Sequence, residues 1–403
     1  MLRIVRNHYS SITGAVAGFA LGLLTSKVSS LGTIAESFVI FISVALWVAL
    51  LNPKIKRITE RLYHKKSFDP DFYKWLEFLK DPEYRNRPEL IVGKCVTISQ
   101  PPDLQVGWKS DSLSVELKND TYGISEKYFD DYKKFRESFL KEGDSSVTFM
   151  LDEKPVSWSD STKLYLKLKR NDYCKTYFYW KEVYAKYPKE WEIARATFLD
   201  MKNGFAPHNL CSHVIVITSD DYVLLTKSTK SKIAYPEKWS ASIEENLKDE
   251  DFSDGPFEPD PLMNCVIRGL DEELGLKLHT HYTPENINVA TLFLEGHFNL
   301  NIAVACTVRL NINKDEARNI VINSPKVDIE FSTCDFIALE KVFDELFYPS
   351  HSMESYHPTS FYRMLIALLS SYGPNKVKVR LSQKYAKLMP NKPFQVTPLK
   401  RRP

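Results

Sequence analysis

The sequence predicts an α+β protein carried on an amino-terminal two-helix transmembrane hairpin. Three observations predict it. Two apolar runs, 12–28 and 34–51, open the chain. Helical and alternating hydrophobic patterns then interleave through the rest, as expected where helices and strands share one body. Finally, residues 265–276 read as the last turns of a helix that stops at Gly275, with strand-like runs on either side.

Length and composition set the frame. At 403 residues the chain has room for two or three domains, and its composition excludes bulk disorder. The net charge of +3 predicts no partner by itself. The six cysteines, Cys95, Cys174, Cys211, Cys265, Cys306 and Cys334, are scattered without short pairings. They are expected to be reduced core thiols, with no structural zinc site.

Residues 1–52 form the expected hairpin. Each apolar run is close to the roughly 20 residues that cross a bilayer as a helix. Arg3 and Arg6 before the first run also fit a signal peptide, but a second run immediately after it favours two spans. Glu36 stands near the start of the second span and Trp47 near its end, where interfacial aromatics sit. Basic residues cluster before the first span and after the second, with only Lys27 between, so both ends are placed in the cytoplasm. Ser10, Gly14, Gly18, Gly22 and Ser26 recur every four residues and make a smooth stripe. Such a stripe serves close packing within the hairpin or between protomers of a homo-oligomer.

Residues 53–200 are predicted as a juxtamembrane helix and an α+β linker domain. Ile55, Ile58, Leu62 and Tyr63 lie at helical spacing among lysines and arginines, suited to anionic headgroups. Strands are expected at 95–99 and 113–117, and a helix at 127–141. Tyr173, Tyr177, Trp180 and Tyr184 are at helical spacing among lysines, which fits a buried face and, as the alternative, base stacking.

Residues 201–373 change to strands. Runs 213–218 and 222–226 flank Ser219-Asp220-Asp221 as a hairpin. A loop through Trp239 and an acidic stretch follow. A helix opens near Pro261, then strands at 289–295, 303–310 and 331–338, and helices at 339–347 and 360–371. On the first helix Arg268 sits four residues before Glu272 and can pair with it. Glu272 and Glu273 together can hold a hard cation. Taken alone, this is also what a solvated charged turn looks like. Residues 374–403 are a basic tail with nine Lys or Arg and no acid, and its late prolines discourage a folded element near the end.

The order hairpin, tryptophan loop, Arg268-Gly269-Leu270-Asp271-Glu272-Glu273-Leu274-Gly275 helix, strands, helix resembles the Nudix family over roughly residues 212–373. The resemblance implies a mixed-sheet α/β/α sandwich. It also shows departures. Gly269 stands where the family carries the first helix glutamate, Asp260 and Asp254 stand at the earlier glutamate and glycine positions, and the acidic loop is expanded. Hydrolysis in the family uses several carboxylates to hold divalent ions. With one ligand missing, Glu272 and Glu273 retain weak Mg2+ binding at most, and no cofactor is required.

A degenerate Nudix box joined to a membrane hairpin resembles the two-transmembrane Nudix effectors of prokaryotic cyclic-oligonucleotide antiphage systems. That resemblance implies a sensor of a cyclic oligonucleotide that oligomerises through Gly14, Gly18 and Gly22 and disrupts the lipid bilayer, with no nucleic-acid polymer as partner. Ligand contacts are expected from Trp239 by stacking and from Lys227, Lys230, Lys232 or Arg268 to phosphate. The alternatives are a membrane-anchored Nudix hydrolase of a nucleoside diphosphate derivative and a membrane scaffold with no ligand.

Overall fold

A computed structural model of the chain describes residues 91–92, 95–142, 146–153, 163–200, 205–232, 235–253, 260–295, 300–324, 327, 329–347, 349–352 and 355–388. The chain divides into two units, Met1–Phe68 and Asp69–Pro403, and the described residues all belong to the second. The expected transmembrane hairpin, with Gly14, Gly18 and Gly22, and the juxtamembrane helix lie outside the described residues. Among the described residues no helix is long and apolar enough to cross a membrane.

The strands are β1 (Ile91–Val92), β2 (Cys95–Ser99), β3 (Leu113–Thr121), β4 (Val147–Leu151), β5 (Leu164–Asp172), β6 (Leu210–Ile217), β7 (Tyr222–Ser228), β8 (Trp239–Ser240), β9 (Ile243–Asn246), β10 (Ile287–Glu295), β11 (Ile302–Arg309) and β12 (Phe331–Ala338). The helices are α1 (Phe129–Glu142), α2 (Tyr173–Phe178), α3 (Pro188–Asp200), α4 (Glu250–Ser253), α5 (Pro261–Leu274), α6 (Lys314–Ile322), α7 (Leu339–Glu345) and α8 (Ser360–Leu388). Nine strands form one mixed sheet in the order β1-β2-β10-β11-β6-β7-β12, with β8 paired to β7 and β9 to β6. The β11–β6 pair is parallel, from Ile302↔Leu210 to Arg309↔Ile217, and its other pairs are antiparallel.

Helices α5 and α8 both pack on this sheet, α5 against β6 and β9 and α8 against β6, β10 and β11. Burial of both faces explains why every residue of β6 and of β10 is buried and why their sequences do not alternate. A split in the sheet makes room for the site. Strand β6 pairs with β7 only at Ile217↔Val223 and with β9 over residues 211–214. Ser242 holds the fork. Its hydroxyl donates to the Leu224 carbonyl at 2.7 Å and accepts from the Val216 N–H at 3.1 Å.

A second sheet, β3-β5-β4, is covered by α1, α2, a π-helical turn at Tyr179–Tyr184 and α3. The aromatics of this region pack on one another. Tyr173 meets Trp180 edge-on at 6.2 Å, and Tyr179, Trp180 and Tyr184 are buried. They form core rather than a stacking platform for bases.

Two features differ from the sequence expectation. Strand β2 comes from the region assigned to the linker, yet it pairs with β10 inside the main sheet. The basic tail also begins as helix. Helix α8 bends at Gly373 (φ 75°, ψ 157°) and continues to Leu388. Pro374 opens the second segment, where a missing N–H costs nothing. Val377 and Leu381 are buried, and Arg380 and Lys384 pair with Glu340 and Asp344 of α7. The late prolines lie outside the described residues.

Candidate functional site

Helix α5 is fixed at both ends by its own sequence. The Asp260 carboxylate caps the first turn by accepting from the Met263 N–H at 3.1 Å, with Pro261 opening the helix. Gly275 closes it in the left-handed conformation at φ 69°, and its N–H donates to the Asp271 carbonyl. An apolar face of Leu262, Val266, Leu270 and Leu274 is buried, which turns Arg268 and Glu272 toward β9 and α4.

Arg268 is engaged on every nitrogen. Nε and one terminal nitrogen donate to the two oxygens of Asp251 at 2.9 and 2.8 Å. The other terminal nitrogen donates to Glu245 at 2.8 Å, and the Asn246 carbonyl accepts a further bond at 2.8 Å. The i,i+4 contact with Glu272 is longer, 3.6 Å. The guanidinium that the sequence offered to phosphate thus holds β9 and α4 onto the helix.

The glutamate pair separates. Glu272 is 42% exposed and meets Lys248 at 3.2 Å. Glu273 is buried, and that burial, followed by the nearby Glu245 charge, pushes its carboxyl well above the usual range. Gly269 lies directly under Glu245. A β-carbon there would stand 3.1 and 3.2 Å from the Glu245 Cβ and Cγ. The space of the absent helix glutamate is therefore filled by a carboxylate from β9. Among the described residues Glu245, Glu272 and Glu273 do not converge as a group of three, so Mg2+ could use two of these carboxylates at most.

A second ionic cluster lies on the opposite side of β9, because neighbouring residues of a strand point to opposite faces. Glu244 pairs with the fully buried Arg363 of α8. Burial works against the Glu244 charge, but Arg363 and then His357 outweigh it and hold the carboxyl well below the usual range. Arg363 Nε donates to the Thr359 hydroxyl at 2.9 Å. His213 and Glu295 complete the cluster, their nearest atoms 2.7 Å apart. Burial, followed by Glu244, pushes the Glu295 carboxyl up to about 8.

The remaining candidates line the approach. Trp239 is half-buried in β8 and stacks on His351 at 4.8 Å with the rings 7° apart. Its carbonyl accepts from the His357 N–H and the Ser360 hydroxyl, which ties the tryptophan loop to the start of α8. Lys232 is half-buried, and its charge acts on both Glu244 and Glu273. Lys227 lies near the end of β7 opposite Trp239, and Lys230 lies on the exposed turn beyond it. Trp239 and Lys232 thus belong with the two clusters. Glu244, Arg363, His357, His213 and Glu295 escaped the sequence reading. The one available signal was an arginine between Tyr362 and Met364 in an otherwise apolar helix.

No family model and no curated protein matches the chain. Among solved structures it is similar to Tm1382, described as a candidate Nudix hydrolase, with 12% identity over 40% of this chain and 70% of that one and a TM-score of 0.25. The MutT protein of Methanosarcina mazei Go1 is 13% identical over 44% and 96% of the two chains, with a TM-score of 0.26. A bifunctional NMN adenylyltransferase/ADP ribose pyrophosphatase of Francisella tularensis, complexed with AMP and a Mn ion, is 13% identical over 48% and 50%, with a TM-score of 0.26. At these TM-scores the likenesses carry no argument, and a functional reading rests on the residues of this chain.

Proposed function

We propose that the C-terminal body is a Nudix-like domain that binds a nucleotide derivative and recognises it without cleaving it. The observation that carries this reading is Glu245 lying over Gly269. The helix carries one carboxylate fewer than the resemblance requires, and its return would need the Glu245 side chain to give way, since a β-carbon on Gly269 would stand 3.1 Å from it. The carboxylate that fills the space is already bound to Arg268, so it is a poorer partner for a divalent ion than a free one. Trp239 offers the ring face that is not stacked on His351, Lys227 lies opposite it on β7, and Lys230 and Lys232 follow in the turn beyond β7.

On the same reading the ligand is a cyclic oligonucleotide, and the protein is an inner-membrane effector of antiphage defence. The ligand favours an assembled state because that state binds it better. Hairpins then cluster through the Gly14, Gly18 and Gly22 stripe and disturb the bilayer. Support for the effector role comes from the sequence alone, from the order of a hairpin and a degenerate box. Gly18→Leu is expected to abolish membrane permeabilisation while leaving ligand binding intact. Unimpaired permeabilisation by that variant would refute the clustering step.

One observation favours a hydrolase instead. Glu273 is buried beside Glu245, and two carboxylates so placed could share a divalent ion. Incubation of the full chain with Mg2+ or Mn2+ and a panel of nucleoside diphosphate derivatives decides between the two. Rapid turnover abolished by Glu273→Gln establishes the hydrolase.

A further inference from the structure

On the α8 side of the sheet, Cys211 and His213 of β6 and Glu295 of β10 bring one sulfur, one nitrogen and one oxygen within 4.8 Å of one another, all three residues buried. Strand β11 runs between β6 and β10, and its residues at this level are Ala303 and Ala305. Two methyl groups leave room for the Glu295 side chain to cross over β11 and reach His213.

The imidazole of His213 is held from both sides. Its Nδ1 lies 3.4 Å from the Thr359 hydroxyl, whose oxygen accepts from Arg363 Nε at 2.9 Å. Its Nε2 lies 2.7 Å from a Glu295 oxygen, a distance at which one proton sits between two such atoms. A cation bound here would displace that proton and part the two atoms to the spacing of neighbouring ligands. A second shell that orients the imidazole through its other nitrogen is what metal-binding histidines require.

We propose that Cys211, His213 and Glu295 form a buried transition-metal site, for which zinc is the fitting ion. Sulfur, imidazole and carboxylate together match zinc and exclude magnesium or calcium, which take oxygen. In a tetrahedral zinc shell the ligand atoms stand about 3.3–3.6 Å apart, so the widest pair here closes by about 1 Å on binding. Charge also balances. The Cys211 thiol and the Glu295–His213 pair each give up a proton to solvent as the Zn–S, Zn–O and Zn–N bonds form, and one thiolate with one carboxylate then neutralises Zn2+ in a place where an uncompensated charge would be costly. The ion clamps β6 to β10 across β11 and fixes the histidine from which the Thr359–Arg363–Glu244 chain extends.

The test uses the untagged full chain, stripped with chelator and dialysed against Zn2+ or Co2+. About one equivalent of metal per chain is expected, and the Co2+ form is expected to show a near-ultraviolet sulfur-to-cobalt charge-transfer band. That band is lost in Cys211→Ser and kept in Cys334→Ser. Glu295→Gln, close to isosteric, weakens Co2+ binding by about tenfold or more. No retained metal, metal without the charge-transfer band, or an unchanged band in Cys211→Ser each overturns the proposal. Should Cys211→Ser fail to fold, the wild-type band and the Glu295→Gln titration decide it.

Discussion

Glu244 and Glu245 are neighbours on one short strand, and their surroundings differ in every respect that matters. Glu245 faces α5, where its arginine is 11% exposed and bonds in addition to Asp251 and a backbone carbonyl. Glu244 faces α8, where its arginine is fully buried and bonds in addition to threonine, with two histidines close by. The first cluster is the one that the Arg268–Glu273 sequence motif announces. The second is assembled from residues distant in the sequence, Arg363 lying 119 positions from Glu244, and has no motif. A recognisable box therefore marks only one face of this fork, and the more strongly buried electrostatics lie behind it.

Loss of one partner from each pair measures that difference. Arg363→Met removes a fully buried guanidinium and leaves Glu244 without its counter-charge, and is expected to cost about 3–5 kcal/mol, read as a lowered denaturation midpoint of the full chain. Arg268→Met leaves the buried Asp251 and the nearly buried Glu245 without their arginine, but Asp251 keeps the Lys248 N–H and Glu245 the nearby Lys248 charge, and the expected cost is about 2–3 kcal/mol. Equal costs would erase the distinction between the faces. Restoring the helix carboxylate is a smaller perturbation. Gly269→Glu forces Glu245 aside and should destabilise by about 1–2 kcal/mol. A stabilised variant would show that the space is freer than the 3.1 Å approach indicates.

The smallest effect is the α5 face's share of a pH slope, to which Glu295 on the α8 face, its carboxyl raised to about 8 by burial and then Glu244, adds in the same direction. The Glu273 carboxyl is raised in the folded chain by burial and then by Glu245. Between the ordinary carboxyl value and that raised value, the folded state holds a proton that the unfolded state has lost. Stability is thus full at low pH within this window and falls as pH rises through it. Glu273→Gln should flatten the slope and be more stable than wild type at pH 8. Denaturation midpoints at pH 5 and pH 8 check this, and parallel slopes in the two proteins would contradict it.

Local signals made much of the fold legible. The runs at 95–99 and 331–338 coincide with β2 and β12, and Pro261 and Gly275 mark the start and stop of α5 because proline and glycine act through the backbone itself. The short strands β8 and β9 were hidden, since two to four residues carry no periodicity. The docked start of the tail was hidden too, because proline reads as a breaker until its place in a first turn is known. At the site, Arg268, Glu272 and Glu273 could be found from spacing, but their roles could not. Burial separated the two glutamates, and the Glu245 side chain decided what Gly269 means.

The central claim is that the C-terminal body recognises a nucleotide derivative and leaves it intact. Calorimetry of the full chain against cyclic di- and trinucleotides in the presence of Mg2+, with the recovered ligand then analysed, tests it most directly. The account predicts saturable binding of a cyclic oligonucleotide that is recovered unchanged. Absence of binding across the panel, or its metal-dependent conversion to linear or smaller products, would contradict it.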